Sequence, residues 1–101
     1  KAGNKTKHVC FCIGKNIAIL HKNDIIHDDL TTSNMIFKQE KVYFIDFGLA
    51  FHSHRTEDKA VDIHLLRQAL DSKHYAKADK YFKWIIQAYK QNYDGKADTV
   101  L

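Results

Sequence analysis

Apolar residues at Cys10, Ile13, Ile17 and Leu20 recur at three- and four-residue spacings and predict an amphipathic helix over residues 8–22. Gly14 lies inside it, at a cost of ~1 kcal/mol relative to alanine. Asn23-Asp24 ends the helix in a turn. The pattern then changes. Ile25-Ile26, Met35-Ile36-Phe37 and Val42-Tyr43-Phe44-Ile45 are short extended segments rich in β-branched and aromatic residues. Residues 38–41 read as a hairpin turn, although they contain neither Gly nor Asn. Residues 51–55 read as polar and irregular. Thr56 is a good N-cap for a helix opening at Glu57, with Glu57 and Asp58 suited to its first turn. Val61, Leu65, Leu66, Ala69 and Leu70 mark the buried side of this helix, which ends near Asp71-Ser72. A last helix covers residues 74–93. Tyr75, Ala78, Phe82, Ile85, Ile86, Tyr89 and Tyr93 share one of its faces, and Asp94-Gly95 stops it. The plan is helix, small hairpin with loops, helix, helix: an α+β fold, mainly helical.

Composition narrows the class. The 101 residues are 45% apolar, as in a globular domain, and bound the chain to a single domain with a modest core. The longest apolar stretches, residues 17–20 and 42–45, fall far short of the ~18 residues that a membrane span needs. The start has no signal-peptide design. The chain opens on Lys rather than Met, which points to a fragment or a processed chain. A net charge of +4 permits contact with phosphates or nucleic acid without demanding it. Cys10 and Cys12 sit one residue apart within the first helix, too badly aimed for a mutual disulfide. Even with His8 nearby they lack the second pair that marks a zinc site. They read as buried or half-buried thiols of a reducing compartment.

The chemistry concentrates in His27-Asp28-Asp29, Asn34 and Asp46-Phe47-Gly48. Phosphoryl transfer from ATP requires such a set. Magnesium is a hard ion that takes oxygen ligands, and an amide and a carboxylate supply them. Asn34 and Asp46 offer these from opposite ends of the hairpin. Asp29 is placed to orient an attacking hydroxyl or water, or to accept its proton. Gly48 lets the chain turn sharply after the metal-binding carboxylate. The competing reading makes Asp29 and Asp46 solvated turn carboxylates and Asn34 a loop cap. The order H-x-D-x-x-x-x-N, hairpin, D-F-G is the arrangement of kinase C-terminal lobes.

Residues 25–36, from Ile25-Ile26-His27-Asp28-Asp29-Leu30 through Thr31-Thr32-Ser33-Asn34, resemble the catalytic loop of the PRPK family, the small atypical RIO-like kinase/ATPase subunit of the KEOPS complex. Ile45-Asp46-Phe47-Gly48-Leu49-Ala50 resembles its metal-binding loop, and Glu57-Asp58-Lys59-Ala60-Val61-Asp62 the start of its next helix. Ile17-Ala18-Ile19-Leu20-His21 resembles the end of the helix before the loop. The resemblance covers most of residues 13–70 and implies a protein-kinase-like C-terminal lobe that uses ATP and Mg2+. It implies Asp29 as the catalytic aspartate and Asn34 and Asp46 as magnesium ligands. His27 would pack the loop, and Asp62 would tie down the loop backbone from the helix below; the bland reading of Asp62 is a first-turn helix carboxylate. The implied partners are the KEOPS threonylcarbamoyl-transferase subunit and a small accessory subunit, with no membrane. The implied activity is that of an atypical serine/threonine kinase or ATPase supporting threonylcarbamoyl-adenosine modification of tRNA, in the cytoplasm and, in a eukaryote, also the nucleus.

The sequence departs from the pattern in places. Asp28 stands where this family usually has Gly and many protein kinases Arg, so a phosphorylated activation loop has no obvious anchor. Thr31 replaces the lysine that many protein kinases place near the transferred phosphate. There is no proline, hence no A-P-E run, and only eight residues separate Gly48 from Glu57. The platform for a peptide substrate is therefore reduced. This favours ATP hydrolysis, autophosphorylation or a very restricted substrate. Residues 1–7 show no strand that would carry an ATP-binding lysine, so the nucleotide-gripping N-terminal lobe is expected to be missing from residues 1–101, and this chain alone is expected to bind ATP poorly. Two alternatives stay open: a non-catalytic kinase-like docking module, and a small-molecule phosphotransferase, against which the Thr-Thr-Ser-Asn and Glu-Asp-Lys-Ala-Val-Asp runs argue. His52 and His54 read as exposed loop histidines and Trp84 as a core edge. The lysines of the last helix divide between a solvated face and a tRNA contact.

Overall fold

The computed structural model describes residues 2–93 and 100, with side chains from residue 5 onward. The first helix, α1, runs Ala2–Lys22, so it begins well before the apolar periodicity does. Its polar first turns are held by lysine stems and charges. The Lys5 ammonium lies 5.5 Å from the Phe37 ring, and that of Lys7 lies 5.8 Å from Phe11 and 5.9 Å from Trp84.

Among the described residues four strands follow: β1 (Ile25–Ile26), β2 (Met35–Lys38), β3 (Lys41–Phe44) and β4 (Phe51–His52). β2 and β3 form the expected hairpin, in the register Met35↔Phe44, Ile36↔Tyr43, Phe37↔Val42. Its turn has left-handed backbone at both Gln39 (φ 52) and Glu40 (φ 65), conformations for which Asn-Gly is usual. Asn16 ties the hairpin to α1 by donating to the Val42 carbonyl (2.6 Å).

Residues 51–52 are not irregular. They pair antiparallel with β1, Ile25↔His52 and Ile26↔Phe51, and the Ser53 N–H extends the contact to the Asp24 carbonyl (2.8 Å). A two-residue strand carries no periodicity of its own. Here the backbone groups of β1 find their partners, which only the tertiary fold decides.

Helix α2 spans Thr56–Lys73 and its N-cap is Arg55, so Thr56 lies inside the helix. Ser53 braces the segment that enters the helix. Its hydroxyl accepts the Arg55 N–H (3.0 Å) and donates to Asp58 (2.6 Å). The helix is also rotated from the expected face. Lys59, Asp62, Ile63, Leu66 and Leu70 point inward, while Val61 is 50% exposed and Leu65 and Ala69 are half-buried. A 3-10 turn at Tyr75–Lys77 precedes α3 (Ala78–Asn92), and Tyr75, expected on the buried face, is 85% exposed. The expected stop at Asp94-Gly95 lies outside the described residues.

The core lies between α1 and α3, with Ile13, Ile17, Leu30, Leu66, Ile85 and Tyr89 at its centre. Gly14 is a packing residue and not merely a tolerated weak point. A Cβ there would stand 2.1 Å from the Ile85 carbonyl oxygen and 2.9 Å from the Ala88 Cβ. The two helices cross where only glycine fits.

Candidate active site

The loop that leaves β1 is fixed from beneath. The Asp62 carboxylate, fully buried, accepts the His27 N–H (3.0 Å) and the Asp28 N–H (2.8 Å), one on each oxygen. Its Oδ2 also faces His21 Nε2 at 3.0 Å. These donors are what allow a carboxylate to sit away from water. Asp28 has φ 67, which explains why a glycine suits this position: the backbone must be left-handed for both N–H groups to reach one carboxylate. Asp28 and Asp29 are both half-buried.

His27 is fully buried and joins the loop to the segment after β3. Its Nδ1 accepts the Asp29 N–H (3.2 Å), so its Nε2–H donates to the Ile45 carbonyl (2.9 Å). The rings of Phe47 (4.6 Å) and Phe44 (6.1 Å) pack against it.

The candidate residues Asp29, Asn34 and Asp46 lie at the open end of the hairpin. Asn34 Nδ2 donates to the Asp29 carbonyl (2.9 Å) and to the Asp29 carboxylate (3.1 Å). The Ile45 N–H donates to the Asn34 carbonyl (2.9 Å), one step beyond the Met35↔Phe44 pair. The antiparallel register thus brings the two ends of the hairpin, Asn34 and the segment entering Asp46, to one place. Asp46 is exposed and left-handed (φ 60). The sharp backbone is at Asp46 and not at Gly48. Gly48 sits in an ordinary turn closed by the Ala50 N–H on the Phe47 carbonyl (3.0 Å), and a Cβ there would meet only Asp46 Oδ1, at 3.5 Å.

This donor set fits magnesium. Both Asn34 contacts use the amide nitrogen, which leaves its oxygen for a cation, and Asp46 adds an exposed carboxylate. No three His, Cys, Asp or Glu side chains among the described residues are grouped to hold a metal. A cation here would rest on one amide, one carboxylate and the oxygens of a ligand, as magnesium does with nucleotide phosphates.

Beside the site, Ile36, Tyr43, Ile45, Phe47 and Leu49 are exposed, and a groove of about 510 Å³ runs between α1 and β3 as far as Phe47. Alternation along the hairpin foretells that Ile36 and Tyr43 share a face, but not that this face is the open one. Lys73 donates to Ser33 in the loop (2.8 Å), a tie that no sequence pattern signals. His52 and His54 are exposed, and Trp84 is half-buried between Lys7 and Lys80. Both cysteines are free thiols; burial pushes Cys10 up to about 11, so it is inert.

Fold and loop geometry define a RIO-type, kinase-like lobe: the RIO domain model matches residues 2–82, and the chain belongs to that family. Within it the chain is 47% identical over 81 residues to the KEOPS complex subunit Bud32 of Pyrococcus abyssi, covering 80% of this chain and 37% of that protein. It is 40% identical over 82 residues to the EKC/KEOPS complex subunit BUD32 of Debaryomyces hansenii, covering 81% and 32%. It is also 42% identical over 94 residues to a probable bifunctional tRNA threonylcarbamoyladenosine biosynthesis protein of Methanobrevibacter smithii, covering 93% and 18%. The chain therefore spans between 18% and 37% of the lengths of these relatives. The resemblance to the kinase-like subunit of KEOPS is borne out. Among the described residues no helix is long and apolar enough to cross a membrane.

Proposed function

We propose that this chain is the catalytic C-terminal lobe of an ATP- and magnesium-dependent atypical kinase or ATPase that works within a KEOPS-type complex and supports threonylcarbamoyl-adenosine modification of tRNA. One observation carries the reading: Asp29 and Asn34 share hydrogen bonds at the hairpin end that also delivers Asp46, on a loop anchored by a buried carboxylate. In this reading Asp29 orients the attacking water or hydroxyl and takes its proton, while Asn34 holds the Asp29 carboxylate in that position. The Asn34 amide oxygen and the Asp46 carboxylate hold magnesium, which when bound neutralises charge on the phosphates. The exposed apolar side chains of Ile36, Tyr43, Ile45, Phe47 and Leu49 suit a lobe that works covered, and the cover is the nucleotide-gripping lobe of the longer protein. The short segment between Gly48 and α2 leaves little platform for a peptide, which favours hydrolysis or a restricted acceptor.

The test uses the full-length protein, with its KEOPS partners and tRNA. Asp29→Ala and Asp46→Ala are each expected to lower ATP turnover by ~10²–10⁴-fold with the fold unchanged by circular dichroism, and to lower tRNA modification with it. Turnover at the wild-type rate in both variants removes the enzyme reading. Loss of turnover with modification intact assigns the lobe to docking instead.

A further inference from the structure

Helix α3 reaches the catalytic loop through a chain of buried side chains. Tyr89, fully buried, places its hydroxyl 2.7 Å from His21 Nδ1. His21, equally buried, places Nε2 3.0 Å from Asp62 Oδ2. Asp62 Oδ2 also holds the His27 N–H, and Oδ1 the Asp28 N–H. The protons in this chain are determined by its far end. A carboxylate that already accepts two backbone N–H groups can only accept from His21, so His21 Nε2 carries hydrogen. In the neutral ring Nδ1 is then an acceptor, and the Tyr89 hydroxyl must donate to it. The ring planes of His21 and Tyr89 meet edge to face, 5.5 Å between centroids. Burial, with Tyr93 and Asp62 nearby, pushes the Tyr89 hydroxyl far above its ordinary titration range, so it remains a donor throughout the working pH range.

We infer that Tyr89 is a positioning residue: by donating to His21 Nδ1 it pairs the nitrogen that the Asp62 contact leaves as an acceptor, stabilises the tautomer that Asp62 requires, and so steadies the placement of His27, Asp28 and the adjoining Asp29. Without its hydroxyl, His21 Nδ1 faces no donor. The buried Nδ1 is then an unpaired acceptor, so the Nε2–H form loses part of its advantage over the Nδ1–H form, which turns the Nε2 lone pair onto the Asp62 carboxylate. That repulsion falls on the oxygen that anchors the His27 N–H. The inference concerns the reaction assigned above and rests on that reading for its kinetic consequence; the loop placement itself does not depend on it.

Tyr89→Phe in the full-length protein removes one hydroxyl and keeps the ring. Hydrogen exchange at the His27 and Asp28 amides is expected to quicken about tenfold relative to other amides of the lobe. The His21 ring nitrogens, read by 15N NMR, are expected to change from a single Nε2–H form to a mixture. ATP turnover is expected to fall by a similar factor with KM for ATP unchanged. Tyr93→Phe is the control, since the Tyr93 hydroxyl accepts from Lys59 (2.9 Å) and does not touch His21 through a hydrogen bond. It is expected to leave the His27 and Asp28 amides as they are. Equal quickening in both variants, or none in Tyr89→Phe, overturns the inference. A wild-type His21 with hydrogen on Nδ1 overturns it with no variant at all. If the amides respond as expected but the wild-type protein hydrolyses no ATP, the positioning role stands and the enzymatic reading falls.

Discussion

At the scale of single residues, the site depends on backbone conformations that side-chain chemistry alone does not reveal. Asp28 and Asp46 both occupy left-handed backbone, at φ 67 and φ 60. For Asp46 the proposed function calls on the carboxylate, which is exposed. For Asp28 only the backbone N–H is used, by Asp62, and its carboxylate makes no hydrogen bond among the described residues. Asp28→Gly should therefore be tolerated and should stabilise the protein by on the order of 0.5–1 kcal/mol, since glycine enters this region without steric cost while aspartate does so at some penalty. Urea unfolding of the two proteins measures it; a loss of stability would mean that the Asp28 side chain has a role at the loop which the geometry does not show.

At the scale of elements, what the sequence revealed and what it concealed have separate physical causes. The hairpin, the helix before it and the placement of Asn34 and Asp46 at the hairpin's two ends were legible because strand preference and helical spacing are local properties. Strand β4 was not, because its two residues are strand only by pairing with Ile25 and Ile26. The inward face of α2 was misjudged because Lys59 and Asp62 are buried by their partners and not by hydropathy, which turns Val61 outward. Gly14 looked like a weak point for the same kind of reason, since its neighbour Ile85 belongs to a distant helix. The close crossing at Gly14 yields a sharp expectation. On helix propensity alone Gly14→Ala gains ~1 kcal/mol. The added methyl group, however, would overlap the Ile85 carbonyl, a backbone atom that moves only if α1 and α3 separate. The variant should lose about 1–3 kcal/mol net, seen as a lower melting temperature in calorimetry. A rise in melting temperature would show that the crossing is looser than this.

At the scale of the whole molecule, Lys59 ties α2 to the turn after α1 and to the end of α3. From α2 its ammonium donates to Asp24, in the turn after α1, and to the Tyr93 hydroxyl at the end of α3, both at 2.9 Å. It is 6% exposed. Burial alone would push its pKa down, but the hydrogen bonds it donates to Tyr93 and Asp24 outweigh this and hold it above the ordinary 10.5. The Lys59 hydrogen bond in turn holds Asp24 below the ordinary 3.8. The signs give a window. A depressed carboxylate contributes stability above its unfolded pKa and loses it as pH falls through the folded value; a raised ammonium contributes below its unfolded pKa and loses it as pH rises through the folded value. The pair therefore contributes fully from about pH 5 to about pH 9 and fades on either side. His52 and His54, which also lower Asp24, remain in a Lys59→Met variant, so comparison with the wild type isolates the lysine. The difference in urea-unfolding free energy between the two should be level across that window. It should shrink below Asp24's normal range, where the buried ammonium keeps only Tyr93 as a partner, and shrink again as Lys59 itself loses its proton. A difference that stays constant from acid to alkaline pH would show that Lys59 acts through the packing of its stem alone, and that the three parts are not joined by its charge.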